Sequence, residues 1–257
     1  MTKTSASPVV DELFKAGAHY AYPKARRHPS SRPHLFGAKG NVELFDLEKT
    51  AVSLEKAASF IEGIGALGKQ VVFAASKLEA RLPVRMTAEA LGLPYVSGRW
   101  VGGTFSNFGV IKKRIEHLEK LTEDREKGSL IKYTKLERLM IDREIKRLEE
   151  TFGGLRGMRS LPAALIVVDP KHEKNAVAEA DILGIPVVAI ANSDCDMTGV
   201  SYAIPANDAN RASITLLLSK LAEAYKEGAK RAPVRTAAPV ASTPVVREER
   251  EARPRRV

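Results

Sequence analysis

Three continuous apolar runs, separated by stretches with helical periodicity, restrict the fold of this chain more than any other feature. The runs are KQVVFAAS (69–76), ALIVVD (164–169) and IPVVAIAN (185–192). They lack the alternation of apolar and polar residues that marks a half-exposed strand, so we expect strands covered on both faces. Helical patterns follow over 78–91, 172–183 and 208–226. Strands that alternate with helices predict an α/β fold with a doubly wound, mainly parallel sheet.

Shorter elements complete the predicted α/β domain. Residues 94–96 and SYAIP (201–205) predict two additional short strands. NVELFD (41–46) predicts a strand ending at Asp46, whose carboxylate is placed to cap the next helix. One face of that helix carries Ala51, Leu54, Ala58 and Ile61. The glycines expected to end it are Gly63, Gly65 and Gly68.

Between residues 105 and 152 the sequence is charged, helical in pattern and nearly free of strand formers. Two apolar seams follow a helical repeat, and the polar stretch TEDREKGS between them contains Gly128 as a turn. The seam residues are Ile111, Ile115 and Leu118, then Leu136, Met140 and Leu148. We therefore predict an α-helical coiled-coil hairpin inserted into the α/β domain.

The sequence thus predicts four segments. They are an N-terminal helix with a basic loop (1–40), the α/β domain (41–104 and 153–228), the coiled-coil hairpin (105–152) and a basic tail (229–257). The tail has four prolines, six alanines and seven arginines without an aromatic residue, leucine or isoleucine. Such a segment has too little apolar surface to bury, so we expect it to be disordered.

The distribution of charge favours a polyanionic partner. The chain has 41 Lys and Arg against 31 Asp and Glu, a formal net charge of +10. Residues 1–40 contribute +5 and residues 229–257 another +5, whereas residues 41–228 hold 26 charges of each sign. An excess confined to two terminal segments suits them to hold nucleic acid, although solvated termini that bind nothing have the same composition.

The segment from Gly17 to Gly40 has the composition of an RNA-contacting loop. Its arginines can each donate two hydrogen bonds to a phosphate, and its tyrosines and histidines, His34 among them, can stack on unpaired bases. The RWVGGTFSNF motif beside the hairpin offers a second candidate contact. The predicted RNA contacts are Tyr20, Tyr22, Lys24, Arg26, Arg27, His28, Arg32 and Lys39 in the loop, with Arg99 and Trp100 beside the hairpin.

An enzyme is the main alternative, because ligands of a doubly wound sheet bind at the carboxyl ends of its strands. The polar residues expected there are Ser76, Lys77, Asp169, Asn192, Asp194 and Asp196. They could form a magnesium or substrate site, or they could be the turns and helix caps that Asp, Asn and Ser commonly make. No nucleophile or base is placed beside them, and three of the five histidines lie in the arginine-rich loop.

GIGALGKQ (63–70) satisfies Gly-x-Gly-x-x-Gly and nearly matches a phosphate-binding loop. A phosphate loop follows a strand and opens a helix, whereas these glycines close a helix and lead into a strand. Nucleotide binding is therefore not expected at this segment. Taken together, the residues predict a protein that is not an enzyme and needs no cofactor or metal.

The single cysteine, Cys195, excludes an intramolecular disulfide framework and fits a reducing, cytoplasmic compartment. Its acidic neighbours disfavour the thiolate, so we expect an inert thiol. No apolar run approaches the ~18 residues that a membrane helix needs, and the N-terminus lacks a signal core. We expect a protein that is neither secreted nor membrane-spanning.

Motifs along residues 9–226 resemble the bacterial small ribosomal subunit protein two family. They include LFKAGAHY, RRHP, HLFGAKGNVELFDLEKT, LPYVSGRWVGGTFSNF, LGIPVVAIANSDCD and YAIPANDANRASI. The resemblance implies an α/β domain with a protruding coiled-coil hairpin, located on the ribosome in the cytoplasm. It further implies a structural, non-catalytic role in translation, binding to small-subunit ribosomal RNA and contact with neighbouring ribosomal proteins, including the large protein one.

Two departures from the family pattern fall in the basic loop. Ala21-Tyr22 stands where the family commonly has Gly-His, and Arg26-Arg27-His28-Pro29 where it usually has Arg-Trp-Asn-Pro. The local RNA contacts are therefore expected to differ in detail.

Two alternative functions remain: a metal- or nucleotide-dependent enzyme, and a coiled-coil adaptor without RNA affinity. Saturable binding of a small ligand would indicate the enzyme, and partner binding that does not depend on salt would indicate the adaptor.

Overall fold

The computed structural model describes residues 8–231. Their amino-terminal part contains α1 (Pro8–Lys15), β1 (Tyr20–Pro23), β2 (Leu35–Lys39), β3 (Val42–Phe45) and α2 (Leu47–Ala66). The middle part contains β4 (Val71–Ala74), α3 (Leu78–Leu91), β5 (Tyr95–Val96), α4 (Phe108–Glu126) and α5 (Lys135–Phe152). The last part contains β6 (Ala164–Val168), α6 (Lys174–Ile182), β7 (Val187–Ala191), β8 (Tyr202–Pro205) and α7 (Arg211–Arg231).

The predicted α/β class is confirmed by a five-stranded, all-parallel sheet. Its strand order is β5-β4-β6-β7-β8, with register pairs such as Val72 with Leu165 and Ile166 with Val188. Every residue of β4, β6 and β7 is buried, as their continuous apolar runs predict. The direction of strand addition reverses between β4 and β6, so their carboxyl ends flank the crevice where such folds bind ligands.

Alternate residues of the same strand enter two separate cores. On one face Phe73 and Ile166 pack with α2, α3 and α7, whose contributions include Ile61 and Leu217. On the other face Val72 and its neighbours pack with α6 and with the base of α4 and α5. Each face is therefore covered by helices, which is the condition for a stable parallel sheet.

Helices α4 and α5 lie side by side, and their apolar residues continue the second core away from the sheet. Ile111, Ile115 and Leu118 of α4 are buried, as predicted, together with Ile145 and Leu148 of α5. Gly128 has a φ of +71° in the turn that follows α4. The Thr134 hydroxyl and the Glu137 carboxylate form a reciprocal capping box at the start of α5.

The predicted α5 seam is wrong at two of its three positions. Leu136 and Met140 are 69% and 57% exposed, whereas Leu148 is buried. Leu136 lies nine residues before the buried Ile145, and at about 100° per residue this separation puts the two side chains on opposite sides of the helix. The apolar repeat in the sequence therefore mixed two faces of α5.

The basic loop is more ordered than its sequence predicted. β1 and β2 pair antiparallel with β3 on either side and form a separate three-stranded sheet, with register shifts in both pairings. Between β1 and β2 the chain forms short 3-10 turns over Lys24–Arg26 and Pro29–His34. These strands have only four or five residues, and their pairing is interrupted by register shifts. The alternation of apolar and polar residues is therefore too short to be recognised in the sequence.

The prediction that Gly63 and Gly65 end α2 is wrong, because both residues lie inside the helix. Gly68, with a φ of +61°, makes the turn into β4. Gly65 allows α2 and α7 to approach closely: a Cβ at this position would lie 2.5 Å from the carbonyl oxygen of Tyr225. Gly68 therefore provides the turn, and Gly65 allows the close crossing of α2 and α7.

Helix α7 begins and ends later than predicted. It starts at Arg211, because the chain from Asn207 to Asn210 forms turns whose side chains bond backbone groups. It ends at Arg231, so residues 229–231 of the predicted disordered tail are helical. Residues 232–257, the rest of that predicted tail, lie outside the described residues. Across 8–231, no helix combines the length and apolarity required to cross a bilayer.

We expect Gly65→Ala to lower the free energy of unfolding by about 1–3 kcal/mol, because the new methyl group meets backbone that only a shift of α7 can move. Urea unfolding measures the change. Gly63→Ala is the matched control, since that position is exposed and has no atom within 4 Å of the new Cβ. The control should gain about 0.5–1 kcal/mol from helix propensity; equal effects at both positions would contradict the close crossing.

Candidate nucleic-acid interface

The basic loop is fastened to the carboxyl edge of the parallel sheet through Ser193, which follows β7. The backbone N–H of Tyr22 donates to Ser193 Oγ at 3.0 Å, and the N–H of His28 donates to the Ser193 carbonyl oxygen at 2.8 Å. The buried Ser31 hydroxyl donates to that same carbonyl oxygen at 2.9 Å. Three contacts to one residue fix the loop over the strand ends.

Ser30 adds a second point of attachment. Its hydroxyl donates to the carbonyl oxygen of Cys195 at 3.4 Å and accepts from the N–H of Met197 at 3.0 Å. The loop thereby covers the chain that connects β7 to β8, at the edge where doubly wound folds take ligands. The loop therefore occupies part of the edge at which an enzyme of this fold would bind its ligand.

Beneath the loop, the ammonium of Lys77 lies among three oxygen groups. Its Nζ is 3.0 Å from Asp208 Oδ2, 3.3 Å from Asp169 Oδ2 and 3.2 Å from the hydroxyl of Tyr22. Lys77 follows β4, Asp169 follows β6 and Asp208 follows β8, so the parallel sheet gathers residues that are far apart in the sequence. We call these four residues the Lys77 cluster.

Burial and charge act against each other in the Lys77 cluster. Burial lowers the pKa of Lys77, but attraction by Asp208 and hydrogen bonds to Asp208 and Tyr22 outweigh it and hold the pKa above its ordinary value. Burial raises the pKa of Asp208 to about 6 despite the neighbouring ammonium. For Asp169, burial is outweighed by Lys77 and by the His172 N–H, so its pKa lies below the usual range.

The residues at this edge that could ligate a metal already take part in contacts within the protein. Oxygen and sulfur atoms of Asp169, Cys195 and Asp208 lie within 4.8 Å of one another. Burial raises the pKa of the Cys195 thiol, which disfavours the thiolate that binds metals. The Lys77 ammonium already supplies the cation for the two carboxylates, so this donor set fits an internal ion cluster better than a metal.

The other polar strand-end residues form turns, caps and ion pairs. Asn192 donates to Asp208 Oδ1 at 2.7 Å. Asp194 accepts from Lys171 at 2.9 Å, and Asp196 accepts from the N–H of Thr198 at 2.9 Å. Of the two interpretations that the sequence left open for these residues, the contacts favour structural turns and caps over a substrate site.

The predicted RNA-contact residues of the loop divide into two groups. Exposed side chains are those of Tyr20, Lys24, Arg26, Arg32 and Lys39, and half-buried ones are those of Tyr22, Arg27 and His28. Arg27 donates to the buried Glu43 at 2.8 Å, so its guanidinium neutralises an internal charge. The half-buried group holds the loop in place, and the exposed group faces solvent.

An aromatic stack adjoins the basic loop. The rings of Phe14 and His19 are stacked with centroids 4.6 Å apart, and His19 lies 4.1 Å from Tyr20. Phe14 and Tyr20 are 62% and 51% exposed. Arg26 lies 5.7 Å above the ring of Tyr22, within cation–π range. The exposed rings of Phe14 and Tyr20 have the chemistry that unpaired bases require for stacking.

At the second predicted contact, Arg99 is exposed but Trp100 is buried. The Trp100 indole N–H donates to Glu179 at 3.2 Å and its ring packs edge-on against Phe105 at 4.9 Å. Trp100 therefore fixes the segment and presents no ring face to a base. Glu179 also accepts from the backbone N–H groups of Gly103, Phe105 and Ser106.

Glu179 is a structural residue that the sequence analysis missed, as it missed Asp208 and Ser193 at the carboxyl edge. It lies in α6 three residues after the buried Ala176, so a charged residue on an apolar helix face was the available signal. Burial raises the pKa of Glu179, but the N–H groups of Phe105, Gly103 and Ser106 lower it more, and the pKa lies below its usual range. The carboxylate thus organises the turn that leads into α4.

The fold and these contacts define an α/β protein whose polar strand-end groups bind one another and the protein's own loop. The model of the family described as ribosomal protein S2 matches residues 13–228. The chain belongs to this family, which is structural and not enzymatic, in agreement with the sequence prediction. Helix α2 ends at Ala66, and Gly68 makes the turn into β4, so the glycines of 63–68 precede a strand and do not open a helix.

Relatives in several bacteria carry the same name, small ribosomal subunit protein uS2. The protein of Chloroflexus aggregans is 39% identical over 222 residues, which cover 86% of this chain and 93% of the relative. That of Mesoplasma florum is 40% identical over 240 residues, covering 93% and 89%. That of Geotalea uraniireducens is 39% identical over 217 residues, covering 84% and 85%. The similarity includes both α/β segments and the helices between them.

We expect Glu179→Gln to lower the free energy of unfolding by about 2 kcal/mol at neutral pH, because an amide loses the charge that the surrounding N–H groups stabilise. The pKa of Glu179 is lower in the folded state, so its contribution is present above about pH 4.5 and is lost as pH falls through the folded pKa. Urea unfolding of both proteins across pH should show the difference shrinking in acid. A difference that does not depend on pH would contradict this role.

We expect Lys77→Met to lower the free energy of unfolding by about 3 kcal/mol near neutral pH, because two buried carboxylates lose their counter-ion. Asp208 has a raised pKa of about 6, so its ionisation opposes folding as pH rises towards that value. The loss should therefore be largest above this pH and smaller below it. Lys56→Met, at an exposed position on α2, is the control and should change stability by less than about 0.5 kcal/mol.

Proposed function

We propose that the protein is a structural constituent of the small ribosomal subunit and binds ribosomal RNA through the outer face of its basic loop. The observation that carries the proposal is the way the loop lies on the sheet. Its serines and backbone bind the strand ends, while Arg26, Arg32 and Lys39 remain exposed. Cationic side chains held on a rigid base suit recognition of a phosphate backbone, because little conformational entropy is lost on binding.

In this proposal the predicted site residues have two roles. Direct contacts to RNA are made by Tyr20, Lys24, Arg26, Arg32, Lys39 and Arg99. Positioning is the role of Tyr22, Arg27, His28 and Trp100, whose side chains are half-buried or buried and bonded to protein groups. Phosphate contacts fix the orientation of the protein, and the exposed Tyr20 offers a face for stacking.

The remaining segments extend the proposal to other partners. We assign residues 105–152 as a coiled-coil hairpin that reaches away from the α/β domain of 41–104 and 153–228 towards neighbouring subunit proteins. Exposed Leu136 and Met140 on its outer face support a protein contact there. Docking of ribosomal protein one follows from the family resemblance. The basic tail of 229–257 adds sequence-independent attraction to RNA through its net +5.

We expect the tagged full-length chain to sediment with the small ribosomal subunit from a cell lysate, because a structural constituent exchanges slowly once assembled. The catalytic alternative expects it to stay with soluble protein. The adaptor alternative expects RNA-free complexes whose affinity is indifferent to salt. Sucrose-gradient sedimentation at low and high salt therefore distinguishes the three functions.

The loop is tested with purified rRNA. Arg26→Ala with Arg32→Ala should weaken binding and reduce the log–log salt slope by about 1.5, since each phosphate contact contributes about 0.7–0.9. Arg27→Ala is the contrasting variant: it should lower the unfolding temperature, because Glu43 would be left buried without its cation. An unchanged slope in the double variant would move the RNA contact away from the loop.

A further inference from the structure

A large groove of about 1050 Å³ lies where α3, the segment from Ser97 to Gly102 and the base of α5 meet. Four arginine side chains line it, each at an exposed position: Arg81, Arg85, Arg99 and Arg147. They come from three different parts of the chain, and only Arg99 belongs to a motif that suggests a function. The fold assembles this concentration of guanidinium groups.

The carboxylates of the groove neutralise only Arg85 among these four arginines. Glu89 is bound by Arg85 at 2.8 Å and by the Tyr95 hydroxyl at 2.8 Å, and Glu149 is paired with Arg156. Over residues 8–231, no carboxylate pairs with the guanidinium of Arg81, Arg99 or Arg147. Glu150 is the one lining carboxylate without a cationic partner in the same range.

The groove continues the surface of the basic loop. Tyr22 of the loop bonds Lys77 at the start of α3, and one turn later Arg81 Nε donates to the Ser76 carbonyl oxygen at 2.9 Å. Arg26 lies above the Tyr22 ring, so the basic loop and the arginines of the groove both adjoin the start of α3.

We propose that this groove is a second binding site for the sugar-phosphate backbone of ribosomal RNA, continuous with the basic loop. Guanidinium groups form paired hydrogen bonds with the oxygens of phosphates and carboxylates alike, and three uncompensated guanidinium groups against one carboxylate give the groove a net attraction for a polyanion. The proposed ribosomal role makes the phosphodiester backbone of ribosomal RNA the occupant to which we commit. The inference rests on the proposed function and deepens it by naming the surface that extends RNA contact beyond the loop.

The test measures binding of the full-length protein to deproteinised small-subunit rRNA at several salt concentrations. Arg99→Gln with Arg147→Gln should weaken binding and lower the log–log salt slope by about 1.5, as expected for two lost phosphate contacts. Lys56→Gln with Lys226→Gln is the matched control: it removes the same charge from exposed positions of α2 and α7, outside the basic tail, and should leave the slope unchanged. Thermal unfolding of both variants should match the wild type.

A groove variant that binds rRNA with the wild-type slope, while the Arg26 and Arg32 variant is weakened, overturns the groove site and leaves the proposed function intact. Equal slope losses in the groove variant and the Lys56 and Lys226 control also overturn it, because they indicate a nonspecific effect of net charge. Normal rRNA binding with weakened attachment to assembled subunits would assign the groove to an acidic protein instead. Failure of the wild-type chain to bind rRNA at all would overturn the proposed function itself.

Discussion

The arrangement of the carboxyl edge of the sheet depends on the ammonium of Lys77. Asp169 and Asp208 end different strands and are buried close together, an arrangement that self-repulsion would oppose without a cation between them. Lys77 supplies that cation and also bonds Tyr22, so the same group joins the sheet to the basic loop. Within residues 8–231, Asp169 is the one non-glycine residue with a positive φ, at 63°. Its backbone therefore adopts an uncommon conformation where its side chain joins the Lys77 cluster.

The basic loop turns a fold that often carries catalysis into one that presents a surface. The strand order places a crevice between the carboxyl ends of β4 and β6, where other doubly wound proteins bind cofactors. Here Ser30, Ser31 and the backbone of His28 occupy that edge by bonding Ser193 and Cys195. The groups that could have bound a ligand instead hold the loop, and its exposed cations, among them Arg26 and Arg32, face outward. This inversion is the physical basis of the proposed RNA contact.

Glu179, in the helix α6 that covers one face of the sheet, has a comparable structural role. Its carboxylate collects the N–H groups of the glycine turn and the Trp100 indole, which sets the direction in which the chain leaves the sheet towards α4. The apolar residues of α4 and α5 then extend the sheet core outward. One buried carboxylate therefore links α6, the RWVGGTF motif and the two long helices, and the arginine groove forms beside this junction.

The sequence alone determined the parallel sheet, because runs such as ALIVVD bury both faces of a strand whatever their neighbours are. It also identified the basic loop, since charge and aromatic content are local properties. Tertiary structure decided the rest. In the folded chain Arg27 pairs with Glu43, and the buried Trp100 donates to Glu179. Leu136 and Met140 face solvent. Partners more than ten residues apart leave no periodic signal in a single chain. Which cations remain free for a ligand is therefore settled only when the chain has folded.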